Sequence, residues 1–172
     1  MRLFWEKGYD TVGVAELSQS IGVNPPSLYA AYGSKRALFL RALEHYAGTQ
    51  AQFFGRLKDA DGPAFETLVA VLEAAALSCT ADRTARGCLV MDSTRNCADP
   101  EARALTANIR ADVRENARRL IARDRPEAAE AGADYFMFVL TAISATAVDG
   151  AKLDQLRRDL ELAKSGLRGL LG

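Results

Sequence analysis

The stretch that most constrains the fold is Ile21-Gly22-Val23-Asn24-Pro25. Before it, Val14, Leu17 and Ile21 recur on one face at helical spacing. After it, Asn24 is suited to cap a new helix. Pro25 fits the first helical position, where its missing N–H leaves no bond unmade. Gly22 supplies the left-handed turn between them. Two short helices, about residues 12–20 and 25–32, are therefore joined by a tight reversal. That spacing matches a helix-turn-helix unit, whose second helix enters the major groove of DNA while the first braces it.

Similar punctuation organises the rest of the chain. Leu3, Phe4 and Trp5 read as the end of a helix closed at Gly8. Thr11 is a candidate cap for the helix that runs to about Ser20. Gly33 ends the helix begun at Pro25, and Ser34 caps a long fourth helix from Lys35 to about Leu57. Asp59 to Pro63 breaks that helix, and Pro63 opens a fifth to about Thr80. A short helix is expected near Cys88 to Thr94. Asp99-Pro100 opens a longer one, with Leu105, Ile109, Val113, Ala117 and Leu120 on one face, and Arg125-Pro126 ends it. Gly132 to Val148 and Ala151 to Leu171 complete the set. Alternating strand runs bounded by turn dipeptides are absent, so the class is all-α. The expected organisation is a helix-turn-helix domain over residues 1–45 and a larger helical domain over residues 46–172.

Twenty-two basic and 22 acidic side chains leave no net charge. That excludes a uniformly basic nucleic-acid coat protein but not a local basic patch. Three Cys in 172 residues are too few, and odd in number, for a disulfide scaffold. Reduced thiols in a cytoplasmic protein are expected instead. The apolar run from Tyr135 to Val148 is interrupted by Thr141, Ser144 and Thr146 and is too short to span a bilayer, so no membrane partner is expected. Met1-Arg2-Leu3-Phe4-Trp5 meets charged residues at once, unlike a signal peptide. There is no nucleophile with a base at recognisable spacing, no Gly-rich phosphate loop and a single His, so neither an enzyme nor a cofactor is expected. Cys79, Cys88 and Cys97 stand nine apart, without the two-to-four spacing of a metal site, and read as small buried hydrophobes. Two alternatives stay open: a metal- or redox-responsive regulator using those three thiols, and a helical module that binds protein.

The wording of the N-terminal segment adds a resemblance. Lys7-Gly8-Tyr9-Asp10-Thr11-Val12, Ile21-Gly22-Val23 and Ser27-Leu28-Tyr29, then Tyr32-Gly33-Ser34-Lys35, together resemble the TetR/AcrR family of bacterial transcriptional regulators. Two departures stand out. Ala30-Ala31-Tyr32 keeps one of the two aromatics usual there, and Asn24-Pro25-Pro26 replaces a more polar opening. The resemblance also implies a fuller first helix than the one that starts this sequence, so helix one is expected to be truncated at its N-terminus.

Combined with the chemistry of each side chain, the resemblance implies DNA-binding roles for Thr11, Asn24, Pro26, Ser27, Tyr29, Tyr32 and Lys35. Ser27 and Pro26 lie on the leading turn, where base edges are read. Tyr29 and Tyr32 carry hydroxyls that can donate to phosphates. Thr11 and Lys35 stand at helix N-termini, which favour phosphate. In residues 1–45, five basic side chains against four acidic ones leave a net +1, with Lys35, Arg36 and Arg41 clustered. So small a footprint implies that two copies act together on an operator with two half-sites.

The last helix carries Leu153, Leu156, Leu160, Ala163 and Leu167 in a heptad-like seam. The helix before it is apolar on every side, with Phe136, Leu140, Ile143 and Ala147. The resemblance implies that these two helices pair with their copies in a homodimer. It further implies that the middle helices surround a small-molecule effector. Phe53, Phe54, Phe65, Leu72, Leu89, Met91 and Phe138 are the apolar candidates, and Asp92, Arg95, Asn96 and Tyr135 the polar ones. The effector would favour a form whose recognition helices are wrongly spaced, making the protein a repressor.

Overall fold

The computed structural model describes all 172 residues, and ten α-helices account for most of them. The N-terminal part holds α1 (Arg2–Lys7), α2 (Val14–Ile21), α3 (Pro25–Tyr32) and α4 (Lys35–Thr49). The larger part holds α5 (Gly55–Lys58), α6 (Ala64–Ala81), α7 (Leu89–Asp92), α8 (Pro100–Asp124), α9 (Ala129–Val148) and α10 (Leu153–Leu171). Two 3-10 turns, Gln52–Phe54 and Pro126–Ala128, lead into α5 and α9.

Three helix starts follow the expected caps. The Asn24 side chain accepts the N–H of Ser27 at 2.8 Å, Ser34 accepts that of Ala37 at 3.0 Å, and Asp99 accepts those of Glu101 and Ala102 at 2.9 and 3.2 Å. Each satisfies donors that a helix start would leave unpaired, and a cap of this kind contributes about 1 kcal/mol. Thr11 is not a cap: α2 starts three residues later, with Gly13 at its N-cap. Nor does α4 reach Leu57. It stops at Thr49, and the 3-10 turn redirects the chain, which lets Phe53 and Leu57 turn inward.

An aromatic knot packs the N-terminal helices. Phe39 of α4 lies 5.0 Å from Phe4 and 4.9 Å from Tyr9 between ring centroids, with Val12, Leu17 and Leu28 buried around it. The longer helices pack differently. There α9 lies against α6, α8 and α10, and the buried residues are mostly Ala, Leu and Val. By length and composition alone, Ala64–Ala81 and Pro126–Val148 are apolar enough to cross a membrane. The second of these exceeds the apolar run read from Tyr135 because the helix reaches back to Ala129, with Ala129, Gly132 and Ala133 buried. Both helices here form the protein's own core.

The two parts share one continuous hydrophobic cluster, and α4 passes through the expected boundary at residue 45 without a break. Trp5 sits at their junction. Its indole N–H donates to the Gly87 carbonyl at 3.1 Å, and its ring meets Tyr46 edge-on at 5.0 Å. Gly87 has φ +76, and an added Cβ would lie 2.5 Å from Val148 and 2.7 Å from the Asp92 carboxylate. No other residue fits that crossing.

Candidate nucleic-acid interface

The turn between α2 and α3 is built by backbone chemistry. Gly22 adopts φ +79 and ψ 27, and its N–H bonds back to the Ser18 and Gln19 carbonyls. Val23 N–H also returns to Ser18 at 3.0 Å, so the last carbonyls of α2 are satisfied as the chain reverses. Asn24 then starts α3 at once.

On α3 only Leu28 is buried; the other seven residues are exposed. Leu28 anchors the helix in the aromatic core and leaves Pro26, Ser27, Tyr29 and Tyr32 facing solvent. Asn24 and Thr11 are exposed too, so six of the seven expected contact residues are free to meet a partner. Lys35 is half-buried, with its ammonium 4.3 Å above the Tyr9 ring. The other cations of that cluster are engaged within the chain: Arg36 pairs with Asp99 and Glu101, and Arg41 with Glu44 at 3.1 Å. Ile21, which the spacing places on the apolar face of α2, is 45% exposed, and Val23 in the turn is 39% exposed. They flank the same surface.

Behind this surface, the loop after α1 is fastened to the loop before α8. Asp10 accepts the Ala98 N–H at 2.6 Å and the Cys97 thiol at 3.0 Å. Those two donors hold the Asp10 carboxyl below the usual carboxylate range. Tyr9 gives its N–H to the Ser93 carbonyl at 2.8 Å and its hydroxyl to Asp99 at 3.2 Å. Burial and the neighbouring Asp99 charge push the Tyr9 phenol up to about 12. Tyr9, Asp10, Arg36 and Asp99 thus link the helix-turn-helix to the larger part. In the sequence Asp99 was legible only as a helix cap, and nothing marked its second set of partners.

The expected pocket residues do not gather in one place. Leu72 and Leu89 are fully buried; Phe53 and Met91 nearly so. Phe53 and Phe54 meet tilted at 57° with ring centroids 4.6 Å apart, Phe65 lies under Arg168, and Tyr135 donates to the Ala163 carbonyl at 3.1 Å. Phe138 is 69% exposed. Asp92, Arg95 and Asn96 instead rim an open cleft of about 400 Å³ at the junction, opposite Lys7 to Thr11. Cys79, Cys88 and Cys97 are buried free thiols, and no three His, Cys, Asp or Glu side chains converge as a metal site. Burial raises the Cys79 and Cys88 thiols, which suppresses their thiolates.

The expected dimer seam is turned inward. Phe136, Leu140, Ile143, Ala147, Leu156, Leu160 and Leu167 are buried in the single chain, and Leu153 and Ala163 are partly so. The α6 helix and the two long helices satisfy one another, so this seam is intramolecular. The most exposed large apolar residues of these two helices are Phe138 on α9 and Leu162 on α10, 69% and 77% exposed. They share one level of the helix pair, since Tyr135, a turn before Phe138, bonds to Ala163 beside Leu162.

A helix-turn-helix carried on a larger helical body is the architecture of a bacterial regulator, and the comparisons name which kind. Residues 1–42 match the family model for bacterial regulatory proteins of the tetR family. Along 169 residues the chain is 36% identical to the HTH-type transcriptional repressor BdcR of Escherichia coli (strain K12), spanning 98% of this chain and 85% of that protein. It is 32% identical over 99 residues to the repressor ComR of the same organism, spanning 54% of this chain and 45% of ComR. A cysteine mutant of the TetR-family regulator CifR, complexed with 26 bp double-strand operator DNA, matches with TM-score 0.82 and 31% identity. That match covers 95% of this chain and 91% of CifR. The chain belongs to the TetR family of bacterial regulatory proteins.

Proposed function

We propose that this protein is a homodimeric transcriptional repressor that holds operator DNA through α3 and releases it when a small molecule binds the larger part. One observation carries the reading: a short helix, capped at both ends, with a single buried anchor and every other side chain exposed. A helix that exists only for the core would not spend seven of eight positions on solvent. Both the BdcR likeness and the operator complex formed by CifR support it.

Within this reading, Ser27 and Pro26 meet base edges, while Asn24, Tyr29, Tyr32, Thr11 and Lys35 meet the backbone. Residues 1–45 form the DNA-binding unit and 46–172 the effector and dimerisation unit, sharing α4. The partner protomer covers Phe138 and Leu162 rather than the inward seam. The protein works in the cytoplasm as a regulator.

The test is fluorescence anisotropy with the DNA flanking its own gene. Affinity falls steeply with salt, and Lys35→Ala lowers the slope of log affinity against log salt by about one. Binding that ignores salt, or that survives loss of Ser27, Tyr29 and Tyr32 together, defeats the reading.

A further inference from the structure

We infer that an open cleft of about 520 Å³ between α7, α8 and α9 is a binding site for a small carboxylate with an apolar tail. Three arginines line it, Arg95, Arg103 and Arg110, and no carboxylate does. Between them lie Met91, Ala104 and Ala107, an apolar floor of the size that a short aliphatic or aromatic body covers.

Two of these cations, Arg103 and Arg110, differ from Arg114, Arg118 and Arg119 on the same helix. Arg114 is paired with Asp134 and Glu130, and Arg118 and Arg119 with Glu115. Arg110 has no acidic partner. Its Nη1 donates to the Val90 carbonyl at 2.8 Å and the Thr106 hydroxyl at 3.1 Å. Half-buried, with Arg95 as a like-charged neighbour, it is pulled below the usual guanidinium value. Arg103 likewise holds only a carbonyl, that of Cys97 at 2.7 Å. The nearest carboxylate, Asp92, is already engaged by Arg95 at 2.7 Å, by the Ser144 hydroxyl and by the Cys88 N–H at 3.2 Å. A half-buried guanidinium without counter-charge, as at Arg110, is costly, and a planar carboxylate offers Arg110 and the exposed Arg103 beside it the two-pronged partner they lack.

The site also has a route to the DNA-binding helices. Arg95 and the carbonyl held by Arg103 belong to residues 94–99, the loop whose Cys97 and Ala98 grip Asp10. A carboxylate that draws Arg95 and Arg103 toward itself takes Arg103 from the Cys97 carbonyl and loosens that grip. This effector role rests on the repressor reading above; occupancy of the cleft does not.

The experiment is calorimetric titration of the full-length chain with octanoate, octanol and inorganic phosphate, alongside anisotropy of its complex with DNA. Octanoate binds, octanol and phosphate bind at least tenfold more weakly, and octanoate weakens DNA binding at least tenfold. Arg110→Gln and Arg103→Gln each weaken octanoate at least tenfold while circular dichroism and melting stay native, and Arg119→Gln leaves binding unchanged. No binding of octanoate at millimolar concentration overturns the site. So does octanol or phosphate binding as well as octanoate, or indifference to both cleft substitutions. Octanoate bound without any change in DNA affinity overturns the effector role. A chain that binds octanoate but no DNA at all instead defeats the repressor reading and leaves the site standing.

Discussion

Helices α3 and α9 divide the labour of this molecule between them. Helix α3 buries one side chain of eight, whereas α9 buries nine of twenty and touches every other long helix. One is held by its caps and a single anchor, the other by area. The contrast teaches where sequence is free to vary with purpose. On α3 a substitution changes what the helix meets; on α9 it changes whether the core closes.

Substitutions can break or sharpen that contrast, and the largest effects lie at its two anchors. Phe136→Ala, at a fully buried position of α9, is expected to cost about 3–5 kcal/mol in urea unfolding. Leu28→Ala is expected to cost about 2–5 kcal/mol and to abolish DNA binding, because α3 has no second anchor. If Leu28→Ala leaves stability unchanged, α3 is held by something other than its one buried residue. Next comes Phe138→Glu. It should leave the protomer folded but convert dimer to monomer in light scattering at micromolar concentration; an intact dimer would put the interface elsewhere.

Smaller effects follow at the cap and on the exposed face. Asn24→Ala removes the acceptor for Ser27 N–H and costs about 1 kcal/mol. Ser27→Ala should change stability by less than about 0.5 kcal/mol, as exposed positions do, yet weaken operator binding at least tenfold. The slightest is an acid effect at the junction. Asp10 and Asp99 are both held below their ordinary values by donated hydrogen bonds, so the stability they lend is present above the unfolded carboxylate range, about pH 4. It is lost as pH falls through and below that range. Trp5, the one tryptophan, bonds across the same junction, and its emission should report the loosening before global unfolding.

Much of this was legible in residue order where chemistry is local. Asn24-Pro25 and Gly33 bracket α3 because a capping side chain, a fixed φ and a left-handed glycine act within four residues of themselves. Thr11 misled because a good cap two residues too early looks the same in a string. The failures on α9 and α10 are of another kind. A helix apolar on all sides does not say which side meets its own chain, so the leucine seam at Leu156, Leu160 and Leu167 could be read as facing a copy. Only packing against α6 decides that Phe138 and Leu162 are left outside. Arg103 and Arg110 were invisible for the same reason: among six arginines on α8, the acidic partners that Arg114, Arg118 and Arg119 find come from packing or from the neighbouring turn.

The unbroken course of α4 has a mechanical consequence. Fifteen residues at about 1.5 Å each make a rod of about 22 Å. Its base is wedged among Tyr46, Trp5 and Gly87, and its tip carries Ser34 and the end of α3. A tilt of about 5° at the base therefore sweeps the tip by about 2 Å. In a symmetric pair the two tips move oppositely, so the span between them changes by up to about 4 Å, more than a hydrogen bond to a base edge can stretch.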